Sequence, residues 1–221
     1  FAFADRRQGD FEALRVDKVE SGFELKRFHV ANVTAAEFRQ DYEPLHEPLV
    51  IDGVPDTEGW GAAEWTIPFL AQKYPTMTVT VGKEAGSNRP IELTMKEFER
   101  YARTNTDDTP LYVFDWTVYD DEVGREAMAE YRVPSVFEED LFQLVEEHHH
   151  PDYPAYRWLL IGPKRSGSAC HNDPLGTSAW NTLLSGRKLW FLAPPYLEDA
   201  VMATKDSKVA RWFMDEVPKL Q

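Results

Sequence analysis

Residues 155–195 read AYRWLLIGPKRSGSACHNDPLGTSAWNTLLSGRKLWFLAPP, and this stretch limits the fold more than any other part of the chain. It sets His171, Asp173, Asn181 and Lys188 among tryptophans and leucines. A polar group taken out of water without a partner costs about 2–7 kcal/mol, so a fold that encloses this stretch must supply partners, from itself or from a ligand. A strand over 188–193 puts Lys188, Trp190 and Leu192 on one face, and a lysine on an apolar face needs an anion. A ligand carboxylate is one such anion; a structural salt bridge is the other. Asn181 lies inside a second expected strand, over 178–184, where its amide is either satisfied in the core or bonded to a ligand.

His171-Asn172-Asp173 spaces an imidazole and a carboxylate at i and i+2, so an extended backbone turns both to the same side. That is two thirds of the two-histidine, one-carboxylate arrangement that leaves positions open on Fe(II). An ordinary His–Asp hydrogen bond fits the same spacing. Pro174-Leu175-Gly176 then forces a turn, which places the pair at a strand end, where sites are commonly built. Cys170 and His171 do not form a nucleophile–base pair, because neighbours on an extended chain point apart. The run His148-His149-His150 reads either as a metal tract or, more ordinarily, as imidazoles at the negative end of a helix dipole.

The remaining chain reads as scaffold. With 43% hydrophobic and 13% aromatic residues in 221, it can build a core. A net charge of −14 argues against direct nucleic-acid binding, which needs a basic face. It suits a basic protein or peptide substrate, as a field rather than a contact, and serves solubility equally well. One cysteine forbids an intrachain disulfide and agrees with a reducing, nuclear or cytoplasmic setting. No apolar run reaches about 18 residues and no signal-peptide pattern opens the chain, so no membrane partner is expected.

Thr34…Glu37, Thr94…Glu97 and Ser135…Glu138 are capping-box patterns that predict helix starts. They lead into helices to about 42 and 103 and, through 140–147, to a third; further helices are expected over 66–74, 120–131 and 196–220. Strands are expected over 23–33, 48–53, 77–81, 111–116, 156–161, 178–184 and 188–193. A loop is expected over 82–90, and 1–22 reads as a short helix or arm. Helices come first and a β-rich core later, an α+β pattern. We divide the chain into an N-terminal arm and helical elaboration, 1–47, and a β domain, 48–221.

The runs GPKRSGSACHNDPLGTSAWN (162–181) and GRKLWFLAP (186–194) resemble the Jumonji-C oxygenases. The branch most similar contains the bifunctional arginine demethylase and lysyl hydroxylase. Leu111-Tyr112-Val113-Phe114-Asp115, Asp140-Leu141-Phe142-Gln143 and Tyr156-Arg157-Trp158 are similar to that branch too. The resemblance is dense from about residue 110 to 195. It implies a double-stranded β-helix, of the jelly-roll or cupin kind, with Fe(II) as metal and 2-oxoglutarate as co-substrate. By position, His171 and Asp173 would be the metal ligands, and Lys188 would pair with the distal carboxylate of 2-oxoglutarate. Asn181, Tyr112 and Ser168 would lie around the co-substrate. Ser168 stands where the family is expected to carry threonine, with the hydroxyl kept. Trp158 and Trp180 could wall the pocket, with core packing the more ordinary role.

The family takes its third ligand from a late histidine, and no histidine follows His171 here. The expectation is that further C-terminal sequence supplies it, together with the strands that close the β-helix. The activity implied is lysyl hydroxylation, demethylation of N-methyl arginine or lysine, or both. The rival is a catalytically inactive member of the same fold that serves as a binding or scaffold module.

Overall fold

A computed structural model describes residues 25–84, 87, 89–144, 155–204 and 208–219. Strand β1 (Lys26–His29) pairs in parallel with β2 (Leu49–Asp52), Lys26 opposite Leu49. Their connection is helical because Thr34 caps it. The Thr34 hydroxyl accepts from the Glu37 amide at 3.2 Å while the Glu37 carboxylate accepts from the Thr34 amide at 2.8 Å, a reciprocal capping box. The cap opens α1 (Ala35–Glu37), which widens into a π turn (Phe38–Tyr42) and tightens to a 3-10 turn (Glu43–Leu45). After β2, Gly53 turns left-handed (φ 80°) into α2 (Val54–Thr57). A β-carbon on Gly53 would lie 2.1 Å from His29 Nε2, so glycine is required twice over.

Thr66 caps α3 (Ile67–Lys73), accepting from the Phe69 amide at 3.2 Å, with Pro68 harmless in the first turn. Next, β3 (Thr78–Lys83) runs antiparallel to β4 (Pro90–Thr94), and Thr94 ends β4 by opening the second capping box and α4 (Met95–Thr104). Met77, Val79, Met95 and Phe98, each fully buried, form the centre of the core with Val113 and Ala127. Burying side chains of this size contributes roughly 1.5–3 kcal/mol each. Strand β5 (Val113–Asp115) pairs antiparallel with β6 (Leu159–Ile161), and Asp121 caps α5 (Glu122–Met128). Two short helices, α6 (Glu198–Ala203) and α7 (Val209–Asp215), and a last 3-10 turn (Val217–Lys219) close the described chain. Helices and three two-stranded sheets together make an α+β fold.

Asp115, 1% exposed, joins β5 to β3 without a ladder. Its Oδ2 accepts from the Thr80 amide at 2.8 Å, and Oδ1 accepts from the Thr117 amide and hydroxyl, both at 2.7 Å. Glu130 is a second such junction. It accepts from Trp65 Nε1 at 2.9 Å and from Lys73 and Tyr74. Burial pushes the Glu130 carboxyl up, but the hydrogen bonds from Lys73, Tyr74 and Trp65 outweigh it and hold it below the usual carboxylate range. A carboxyl depressed on folding stabilises above its unfolded pKa, and that contribution fades as pH falls through the folded value. Glu130→Gln should therefore melt below the wild type at neutral pH, and the gap should close on acidification; thermal melts across pH 3–7 measure it.

Several expectations are corrected. Ser135 does not form a capping box: its amide and hydroxyl both donate to Glu58 Oε1 at 2.8 Å, and only a 3-10 turn (Ser135–Phe137) forms. The helix over 120–131 shortens to α5, and the strands over 111–116 and 156–161 to β5 and β6, the lengths over which each finds a partner. The loop over 82–90 shortens at both ends: β3 runs on through Gly82 and Lys83, which pair with Ile91 and Pro90 of β4 beyond a register shift. The helix over 196–220 divides into α6 and α7. Residues 178–184 and 188–193 are not strands, since no described strand offers them a ladder. Leu183, Trp190 and Leu192 are exposed as a result. The arm over 1–22, the tract His148-His149-His150 and the last part of the helix over 140–147 lie outside the described residues; before them, Leu141–Leu144 is a 3-10 turn.

Candidate metal site

His171 and Asp173 do come together, with Nε2 3.4 Å from Asp173 Oδ1. Their orientation has a local cause. His171 Nδ1 lies 2.7 Å from the Ala169 carbonyl. A carbonyl can only accept, so Nδ1 carries the hydrogen and Nε2 is the atom turned to the carboxylate. An imidazole that donates one ring nitrogen to a carbonyl and presents the other is how metal-binding histidines are commonly held. On the other side of the pair, the Asp173 carbonyl accepts from the Gly176 amide at 3.2 Å, and the turn passes through left-handed Leu175 (φ 59°) and Gly176 (φ 63°). Both side chains of the pair are about four-tenths exposed, at 43% and 41%, so an ion from solvent can reach them.

Asn172 points elsewhere, and its Nδ2 donates to Glu198 Oε1 at 2.8 Å. Glu198 lies 26 residues on, and nothing in the sequence marks it. The Ala169 carbonyl was equally hidden, because a backbone acceptor has no residue type.

Lys188 sits with its ammonium 4.2 Å from the centre of the Trp190 ring, the same-face contact that alternation predicts. Burial pushes its ammonium below the usual lysine range, and no carboxylate among the described residues pairs with it. Tyr112 packs against the backbone of Gly162, where an added β-carbon would lie 2.6 Å from its ring, and burial raises its phenol. Asn181 and Ser168 are exposed. Among the described residues, no hydrogen bond or ion pair joins Lys188, Asn181, Tyr112 or Ser168 to the His171–Asp173 pair. Trp158 packs on Phe114 and Trp116 at 4.3 and 5.0 Å, and Trp180 stacks on Phe137 at 6.2 Å, so both have packing roles.

As a donor set, one imidazole nitrogen and one carboxylate oxygen facing each other fit Fe(II), which accepts both. They provide two positions; among the described residues no group of three or more histidines, cysteines and carboxylates gathers. A hollow of about 650 Å³ lies elsewhere, lined by Trp60, Phe69, Lys73 and Glu130, and includes none of these residues.

No protein-family model matches the chain. Individual relatives do. The chain is 39% identical over 172 residues to the bifunctional arginine demethylase and lysyl-hydroxylase psr-1 of Caenorhabditis elegans, a match covering 77% of this chain and 42% of that protein. It is 39% identical over 201 residues to the lysine-specific demethylase JMJ21 of Arabidopsis thaliana, covering 86% and 20%. It is 26% identical over 215 residues to the 2-oxoglutarate and iron-dependent oxygenase JMJD4 of Gallus gallus, covering 89% and 47%. The chain thus spans less than half the length of these curated relatives.

Proposed function

We propose a function from the premise that the chain belongs to the Jumonji-C family of oxygenases, the family of the relatives just described. The activity is that of an Fe(II)- and 2-oxoglutarate-dependent oxygenase acting on lysyl or N-methylated arginyl and lysyl side chains of proteins. The observation that carries it is the His171–Asp173 pair, held at 3.4 Å with Nε2 turned to the carboxylate. His171 and Asp173 would hold the metal. With 2-oxoglutarate, the metal supplies oxidation by O2, one oxygen atom going to the substrate and the other to succinate as CO2 leaves.

The residues do the rest. Lys188, desolvated and without a described carboxylate, pairs with the distal carboxylate of 2-oxoglutarate. Tyr112, Asn181 and Ser168 offer hydroxyl and amide groups to the co-substrate. The protein's task is to place the substrate carbon and keep water away. A hydroxylated lysyl carbon is a stable product, whereas a hydroxylated N-methyl group leaves as formaldehyde, which is demethylation. The net charge of −14 draws basic substrates toward the surface.

The fold that suits this reading is a cupin-like double-stranded β-helix. Trp190 and Leu192, both exposed, are apolar side chains that such a fold would cover. A nuclear setting accords with the single cysteine.

Succinate release from 2-oxoglutarate, dependent on added Fe(II), tests the activity. The presence of only two gathered donors among the described residues favours a second reading, a silent scaffold of the same family. Absence of succinate would establish that reading over ours. Lys188→Ala should raise the 2-oxoglutarate requirement about 30-fold or more, as expected when about 2 kcal/mol is lost with one partner of a desolvated ion pair. Metal retention should be unchanged, as checked by metal content after desalting.

A further inference from the structure

We infer that Glu198 is a positioning residue for the metal pair and acts through Asn172, an inference that rests on the reading of His171 and Asp173 as ligands. Alternation turns Asn172 away from its two neighbours. There its amide donates to Glu198 Oε1 at 2.8 Å. The bond is charge-assisted, because a carboxylate is the acceptor.

Glu198 opens α6, which is fixed by its own packing: Val201 is 2% exposed, and Trp212 of α7, 4% exposed, donates from Nε1 to Thr204 Oγ1 at 3.2 Å. The same helical pair touches the site stretch on both sides of the metal residues. Phe191 meets Trp212 edge-on at 5.1 Å, and Val209 lies 3.5 Å from where a β-carbon of Gly167 would stand. Between those apolar contacts, the Asn172–Glu198 bond is a polar tie that fixes 171–173 against α6. His171 is held by the nearby Ala169 carbonyl, but that bond orients only the ring. Without Glu198 the tie to α6 is lost, the Asp173–Gly176 bond holds the turn only to itself, and the imidazole and carboxylate lose their common direction.

Outer-shell partners of metal ligands typically change metal affinity about 10–100-fold. The test is titration of the purified protein with Co(II), followed by the visible absorption of the bound ion. Glu198→Ala and Asn172→Ala should each weaken Co(II) binding about 10-fold or more, the double variant being no worse than either single one. Glu198→Gln, which keeps Oε1 as an acceptor, should bind close to wild type. Asn172→Ala reports the same tie from the other end should Glu198→Ala unfold α6. Wild-type affinity in both alanine variants overturns the inference, as does a loss that Glu198→Gln fails to restore. No Co(II) absorption in the wild type would sink the metal reading itself, and this inference with it.

Discussion

Asp173→Ala is expected to give a protein that melts with the wild type, does not retain Fe(II) and forms no succinate. The fold does not need this side chain. Asp173 is exposed, its turn is held by its backbone carbonyl, and its carboxylate is described only against His171 at 3.4 Å. Substitutions at such exposed positions usually shift stability by no more than about 0.5 kcal/mol. The proposed metal site loses one of two donors and, among the described residues, its only carboxylate, so retention should fall by more than the roughly 100-fold limit typical of outer-shell partners. Metal content after desalting, melting temperature and succinate release give the three readings. The contrast with Lys188→Ala is the sharper part. Equal metal loss in both variants would contradict the division of roles between them.

Asp115→Ala is expected to be the most destabilising single change away from the site. The buried carboxylate accepts three hydrogen bonds, two from backbone amides that have no other described partner in its absence. An orphaned buried donor costs about 1–3 kcal/mol, so two of them amount to about 3 kcal/mol after partial relaxation. In a chain of this length that lowers the melting temperature by roughly 10 °C. Asp115→Asn should recover only part, because its amide would face the Thr80 N–H donor to donor. Chemical denaturation of the three proteins measures the order.

What could be read from the sequence followed the range of the interactions. Thr34, Thr66 and Thr94 cap helices through contacts three residues away, and all three caps formed as expected. Ser135 has the same local pattern, but Glu58, 77 residues earlier, takes its hydroxyl. Strand propensity over 178–193 was legible, yet a strand is completed by its neighbour, and no described strand is in place to serve. At the site, the spacing of His171 and Asp173 announced their meeting, whereas the anion expected for Lys188 is not supplied by any described carboxylate. Glu198 and the Ala169 carbonyl were invisible because they act across distance or through the backbone.

The side chain of Asp115 also has a bearing on how copies of the protein behave toward one another. Every strand of a two-stranded sheet leaves one row of amides and carbonyls open, and such rows recruit strands from neighbouring molecules. By occupying the Thr80 amide, the buried Asp115 carboxylate holds β5 against the edge of β3 that the β3–β4 ladder leaves unpaired, so an incoming strand would have to displace both. It thereby serves solubility as well as stability. A lesion at position 115 should first show in concentrated solution, as association that dilution reverses.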